Sequence, residues 1–252
     1  MQSEIHMKKK YARQFAQTLT FMIGMIIVAA CIQPNLQQTA DQTVALADIP
    51  LAVNTYWVYQ ATRYDGPNLT RLVTTTHTIT ETIVARQVIS SLIAAQIRRQ
   101  QSAEVLMGAM QEADRTTAIL NPAAQESYWL ISDGKHLYSQ PHLDPTALLS
   151  STIEYELPFR TGDSWYLNHI MLTVSPSKTN ESMLRRVVEM REVTAPAGQF
   201  SNCFLLTEVI GGAVFAQHFC PGVGIVEKRV DHHGTPFGFR HLLTAYAVGS
   251  LP

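Results

Sequence analysis

Two cysteines, Cys203 and Cys220, have the spacing that a cross-strand disulfide requires. Gly211-Gly212 lies midway between them and separates two apolar runs. A two-residue hairpin turn needs positive φ at both central positions, which glycine allows at little steric cost. Pairing outward from Ile210 and Ala213 then places the cysteines opposite each other in a non-hydrogen-bonded pair, where Cα atoms approach to about 4.5 Å. The alternative is two buried free thiols, because a β-bulge would break this register; we predict the disulfide.

This hairpin has an aromatic face and a milder face. We predict that the aromatic face packs in the core, and that the hairpin lies centrally in a sheet because both faces are largely apolar. The milder face is expected to line an apolar concavity that faces a hydrophobic ligand, unless a second layer of side chains covers it. The expected core residues are Phe204, Leu206, Ile210, Phe215 and Phe219, and the expected ligand-facing residues are Leu205, Val209, Val214 and Ala216.

Other residues with chemical potential lack a supporting pattern. The histidines, among them His218, His232, His233 and His241, have no zinc-type spacing and are expected to face solvent in loops. Gly162-Asp163-Ser164 lacks the G-x-S-x-G pattern of a nucleophile elbow. We therefore expect no catalytic residue, no metal, no cofactor and no enzymatic activity.

The charge balance argues against polyanion binding. The chain has 252 residues and a net charge of −1, and 15% of its residues are charged. An average soluble domain has about 25%. Without a basic surface the chain is not expected to bind nucleic acid. Arg98-Arg99 and Arg185-Arg186 are interpreted as solvated pairs.

The N-terminus has the parts of a secretory signal. Lys8-Lys9-Lys10 and Arg13 precede the apolar run Phe15–Ala30, which ends in small residues. The alternative is an uncleaved membrane anchor, but the apolar core Leu19–Ala30 is short for a span of about 20 residues.

The four residues Val28-Ala29-Ala30-Cys31 resemble a bacterial lipobox. The resemblance implies that residues 1–30 are a signal peptide and that Cys31 carries acyl chains such as palmitate. The mature protein would then be anchored in a membrane of the bacterial cell envelope, on the extracytoplasmic side, because more than one chain gives stable attachment. Setting Cys31 aside leaves an even pair of cysteines for an oxidising compartment.

The remaining chain predicts a flexible tether over 31–48 and a single β domain over 49–252. Short β-rich segments joined by tight turns favour an antiparallel meander that forms a curved sheet, partial barrel or sandwich, with little helix outside the signal segment. Asp133-Gly134 is the predicted turn of a second hairpin, with Trp129 opposite Tyr138. Ser102–Glu126 is expected to form a short helix or an irregular loop. The predicted strands lie in Val53–Asp65, Leu69–Ala85, Leu167–Val174, Met183–Val193, Ile225–Asp231 and Phe237–Val248. Arg86–Val105 fits either a helix or a strand by its apolar spacing, and a strand is preferred.

Three segments resemble motifs of uncharacterised bacterial surface lipoproteins. They are Leu157–Trp165 (LPFRTGDSW), Pro196–Phe200 (PAGQF) and Pro221–Val226 (PGVGIV). The likeness extends over about Glu154–Tyr246, with Gln199 where threonine is typical. That group is similar to the LolA-like lipoprotein carriers, which implies a half-barrel with a cavity for acyl chains, although no ligand residue is matched.

These patterns support an anchored, non-catalytic binding module as the first functional hypothesis. Its partners would be the membrane, through the N-terminus, and a hydrophobic small molecule or an envelope protein. A structural scaffold of an envelope complex is the alternative, and a hydrolase with an unrecognised site is a third. A deep apolar cavity would favour ligand binding, and a filled core would favour the scaffold.

Overall fold

The computed structural model describes residues 42–65, 73–107, 119–168, 183–234 and 237–250. These residues are mostly in β-strands and contain almost no helix. Their helices are two 3-10 segments, Leu46–Asp48 and Pro145–Ser150, and neither is long enough to cross a membrane. The strands are β1 (Tyr56–Asp65), β2 (Val73–Ile89), β3 (Leu92–Gln101), β4 (Glu104–Met107), β5 (Ile119–Asn121), β6 (Ala124–Ser132), β7 (His136–Gln140), β8 (Thr152–Glu156), β9 (Ser164–Tyr166), β10 (Leu184–Ala195), β11 (Gly198–Ile210), β12 (Ala213–Cys220), β13 (Gly224–His232) and β14 (Gly238–Ala247).

The strands form one antiparallel sheet that curls into a nearly closed barrel. The order across the sheet is β8-β7-β6-β3-β2-β1-β14-β13-β12-β11-β10-β9, and β4 and β5 extend from β2 beside this path. The two outermost strands, β8 and β9, meet at a seam where Ile153 N–H donates to the Leu167 carbonyl at 2.6 Å. The predicted mainly β class and antiparallel meander are therefore confirmed.

The β11–β12 hairpin has the predicted turn and register. Ile210 pairs with Ala213 and Phe204 with Phe219, and both turn glycines have positive φ. The Cys203–Cys220 disulfide is present with its Cα atoms 4.1 Å apart. The hairpin lies between β10 and β13, away from the sheet edges. A two-residue turn fixes its register locally, which is why the pairing follows from the sequence.

The prediction of a helix or loop over Ser102–Glu126 is wrong for the described part of that segment. It contains β4, β5 and the start of β6. Glu104, only 3% exposed, accepts hydrogen bonds from Thr75 on β2 and Asn121 on β5. These partners are remote in sequence, so tertiary pairing outweighs the local preference of the segment.

The β6–β7 hairpin exists, but the predicted two-residue turn is wrong. Residues 133–135 form the loop, and Trp129 lies opposite Gln140, with Ile131 opposite Tyr138. The Asp133 carboxylate accepts the backbone N–H groups of Lys135 and His136, at 2.8 and 2.6 Å. An aspartate that bonds its own downstream backbone stabilises this longer loop.

Two sequence-predicted boundaries change in the structure. The compact unit starts at Gln42, and Val44, inside the predicted tether, is fully buried and bridges the backbone of Phe159. Strand β9 lies just before the predicted strand Leu167–Val174, which is described only at its first two residues, where it bends. Cys31, the predicted signal segment and most of the tether lie outside the described residues.

One end of the barrel is filled by aromatic side chains. The Phe159 ring lies 5.6 Å from the rings of both Trp165 and Phe204, and the Tyr155 and Phe219 rings are 5.2 Å apart. These three pairs are tilted or edge-on, and the Tyr155 and Phe159 rings are stacked 5.6 Å apart; aromatic pairs favour edge-on and offset-stacked arrangements. The predicted core positions Phe204, Leu206 and Phe219 are buried, while Ile210 and Phe215 are half-buried.

Candidate functional site

The barrel interior contains a cavity of about 480 Å³. Most of its wall comes from the barrel strands, in which every second side chain points to the same face, and Ile49–Leu51 and Pro141 complete it. The apolar part of the wall comes from β1, β3, β7, β8 and β12, and the polar part comes from β2, β3, β6, β8 and β13. The apolar wall includes Trp57, Tyr59, Ile97, Leu137, Tyr155 and Phe219, and the polar wall includes Glu81, Arg99, Glu126, Glu154 and Lys228.

Hydrogen bonds fix the two β1 aromatics in this wall. Trp57 Nε1 donates to the Val223 carbonyl at 2.6 Å, and the Tyr59 hydroxyl donates to the Ile225 carbonyl at 3.0 Å. Gly224, at φ +100°, lies against the indole, and a Cβ there would be 3.2 Å from Trp57 Nε1. Burial raises the pKa of Tyr59 well above its ordinary value, so the phenol stays neutral. These contacts hold the apolar wall in one arrangement.

A second cavity of about 330 Å³ lies beside the first. Its wall contains Arg185, which is 7% exposed, with Glu208 at 10% and Glu154 at 29%. Arg185 Nε donates to Glu208 Oε2 at 2.7 Å, and its Nη1 donates to the Glu154 carbonyl at 2.6 Å and to Glu154 Oε2 at 3.3 Å. Burial alone would raise the pKa of Glu154, but Arg185, Lys228 and a hydrogen bond from Ser139 bring it below its usual value. We call Arg185, Glu154 and Glu208 the arginine triad.

Three polar residues form a row next to this triad, across β12, β13 and β14. Lys228 lies directly opposite Gln217 on one side and His241 on the other, and it lines both cavities. Burial, followed by the charges of Lys228 and Arg99, lowers the pKa of His241 to about 3. His241 is therefore neutral at neutral pH, and Lys228 is the charged member of the row.

Within the described structure, Gln217 has an unsatisfied buried donor and Lys228 has no carboxylate at ion-pair distance. Within the described residues, no carboxylate lies within ion-pair distance (4.0 Å) of the Lys228 ammonium group. Gln217 is 6% exposed and lines the second cavity, and its amide Nε2 is buried without a hydrogen-bond partner among the described residues. An unpaired buried amide costs free energy, and most buried polar groups in native proteins are paired.

On the β11–β12 hairpin, the aromatic face borders the cavities, and not the milder face that was expected to face a ligand. Leu205, Val209 and Val214 line neither of the two cavities, and Val209 is 43% exposed; Ala216 alone borders the second cavity. A nearly closed barrel has one interior, so the face that packs in the core also borders the cavities. Leu206, Glu208, Phe215 and Gln217 accordingly line the second cavity.

The expectation of solvent-facing histidines is wrong for two of them. His218 is 5% exposed, accepts from Arg191 Nε at 3.0 Å and has its Nδ1 3.1 Å from Glu227 Oε2. His241 lies in the interior row described above. Within the described residues, no group of three or more His, Cys, Asp or Glu side chains is placed to hold a metal ion.

The sequence did not lead us to expect these charged residues in a cavity, because we did not compare each one with its neighbours on the same strand face. Glu81 lies between Ile79 and Ile83, which are both buried, and the three share one face of β2. Lys228 has the same relation to Val226 and Val230 on β13. A charged residue two positions from buried neighbours on both sides is therefore the sequence pattern that would have indicated these sites.

No family model and no curated protein matches the chain. Solved structures with a partial likeness include a provisionally named exported protein with a YmcC-like fold from Bacteroides fragilis and a provisionally named lipoprotein from Parabacteroides distasonis. Each alignment covers 82% of this chain and 100% of the other chain, with 11% sequence identity and a TM-score of 0.41. A third is MucB, at 14% identity and a TM-score of 0.28, with 57% of that chain covered. At these values the likeness does not assign a function.

Proposed function

We propose that this chain is an extracytoplasmic, lipid-anchored, non-catalytic protein that binds the hydrocarbon part of an amphipathic molecule in its larger cavity. The observation that carries the proposal is this cavity, whose wall on the barrel strands combines apolar and charged side chains. Its volume of about 480 Å³ lies within the range of about 300–1,000 Å³ of small-molecule sites.

The disulfide supports the proposed location. Cys203 and Cys220 are buried and bonded, and stable structural disulfides are typical of proteins outside the reducing cytosol. The lipobox-like Val28–Cys31 segment supports attachment by acyl chains. Together they favour an anchored protein of the cell envelope.

The chemistry of the wall supports an amphipathic occupant over a purely apolar one. Trp57, Ile97 and Phe219 provide apolar contact, whereas Arg99, in the wall of the same cavity, contacts Glu81 at 3.2 Å and Glu126 at 3.1 Å. A hydrocarbon chain would displace water from the apolar part of the wall, at about 0.8 kcal/mol per buried CH₂. A polar head group would remain beside the charged groups.

A cavity-filling substitution tests this function. Thr152 is exposed and lines both cavities, so Thr152→Trp is expected to fill the space without disturbing the core. Displacing about two CH₂ groups of a bound chain would weaken the binding of dodecanoate about tenfold. Isothermal titration calorimetry of the domain measures the affinity.

Thr194→Trp is the matched control, because Thr194 is an exposed strand residue that lines neither cavity. It should bind dodecanoate as the wild type does. Equal affinities for wild type and Thr152→Trp, or no binding by wild type, would contradict the proposed function and favour a scaffold.

A further inference from the structure

We propose that Gln217 and Lys228 bind the polar head of the ligand through an oxygen acceptor, which is a carboxylate or an ester carbonyl. This inference rests on the proposed function and adds the chemical class of the head group. The two residues are direct cross-strand neighbours on the concave face of β12 and β13. Side chains of such a pair lie about 5 Å apart, close enough to share one ligand group.

Gln217 supplies the first donor. Its side chain is 94% removed from solvent, since 6% is exposed, and its amide nitrogen has no partner among the described residues. It lies between Phe215 and Phe219 on the same face of β12. Phe215 and Gln217 line the second cavity, and Phe219 lines the larger cavity. An acceptor on a ligand would satisfy this amide at a place where the surrounding wall is apolar.

Lys228 supplies the second donor and the positive charge. Lys228 lines both cavities, so a ligand in either cavity can contact its ammonium group. Arg185, the other cation in the second cavity wall, already donates to Glu154 and Glu208. His241, on the far side of Lys228, has a pKa of about 3 and is neutral. Lys228 lowers the pKa of Glu154 without an ion pair within 4.0 Å, so within the described part of this row it is the charged donor that a ligand can reach.

The donor set favours acceptor head groups over cationic ones. An ammonium group has three donors and no acceptor, and the unpaired Gln217 atom is also a donor. A quaternary ammonium head would leave both unsatisfied and would be repelled by Lys228. A carboxylate and a neutral carbonyl both satisfy them, and the two are the heads of a fatty acid and of an acylglycerol.

The test compares head groups at constant chain length. Wild-type protein is titrated calorimetrically with dodecanoate, 1-monododecanoylglycerol and dodecyltrimethylammonium. Both acceptor-bearing probes are expected to bind at least about tenfold more tightly than the cation, because a hydrogen bond to a charged group contributes about 1.5–3 kcal/mol. Preference for dodecanoate alone identifies a carboxylate site, and similar binding of the glycerol ester identifies a carbonyl site.

Gln217→Met and Lys228→Met remove the donors while keeping side-chain length. Each is expected to weaken the binding of the acceptor probes about tenfold and to leave the binding of dodecyltrimethylammonium unchanged or slightly stronger. Lys135→Met, at an exposed loop position, is the control and should match wild type.

The outcomes separate this inference from the proposed function. Tight binding of all three probes by wild type, unaltered in both variants, would retain the cavity function and overturn the head-group site. Equal losses for all probes in both variants would show a collapsed cavity and would also overturn it. Failure of wild type to bind any of the three would overturn both.

Discussion

Replacing Arg185 by methionine is expected to lower the free energy of unfolding by about 3–4 kcal/mol, because it leaves the nearly buried Glu208 without its cation. Glu154 loses two hydrogen bonds from the same guanidinium group, one of them to its backbone carbonyl across the sheet seam. For a domain of this size the melting temperature should fall by about 10 °C. Urea unfolding followed by circular dichroism measures the free energy.

The pH dependence of this loss has a defined sign. Arg185 holds the pKa of Glu154 below its usual value, so the ionised carboxylate stabilises the wild type above the unfolded-state pKa of a glutamate. That stability is lost as the pH falls through the folded-state pKa. In Arg185→Met the contribution is absent, and the difference from wild type should therefore be greatest near pH 7 and shrink below about pH 4.

Two further variants test whether the loss of stability in Arg185→Met comes from an unpaired buried charge. Arg229→Met breaks an exposed pair, with Arg229 Nε 2.7 Å from Asp231 Oδ2, and should change stability by less than about 1 kcal/mol. Adding Glu208→Gln to Arg185→Met should restore part of the stability, since it removes the unpaired charge. An Arg185→Met protein as stable as wild type would contradict the structural role of the arginine triad.

Cys31→Ser is expected to abolish acylation completely. The hypothesis rests on Val28-Ala29-Ala30 before the cysteine and on the basic and apolar segments upstream. Without the thiol no thioether to lipid can form, so the variant should retain residues 1–30 and lose its acyl-chain attachment. Intact-mass spectrometry of the membrane fraction after expression in a bacterial host measures both changes.

Gln33→Ser, two residues beyond the cysteine, is the control and should be processed and acylated like wild type. A wild-type protein whose mature mass lacks acyl chains at Cys31 would refute the anchor.

The features that follow from the sequence are those set by local geometry. Gly211-Gly212 has φ of +57° and +84° and fixes a two-residue turn, from which the opposition of Cys203 and Cys220 follows by counting. The alternation of aromatic side chains on that hairpin also identifies its buried face. Local composition is enough for these predictions because the contacts lie within one hairpin.

The candidate site required non-local information. Arg98-Arg99 and Arg185-Arg186 were interpreted as solvated pairs, yet adjacent strand residues face opposite sides, and Arg99 and Arg185 point into the barrel. Their partners Glu81, Glu154 and Glu208 come from other strands. The direction in which the sheet curls decides which face surrounds the cavity, and no short segment encodes it.

Native mass spectrometry of the domain beginning at Gln42, secreted by a bacterial host and purified without detergent, tests the binding function most directly. We expect a second species whose excess mass equals one acyl-containing molecule, which organic extraction removes and added dodecanoate replaces. The same preparation of Thr152→Trp should carry less of it. A wild-type domain that is folded and disulfide-bonded, carries no such mass and gains none on addition of dodecanoate would contradict the account.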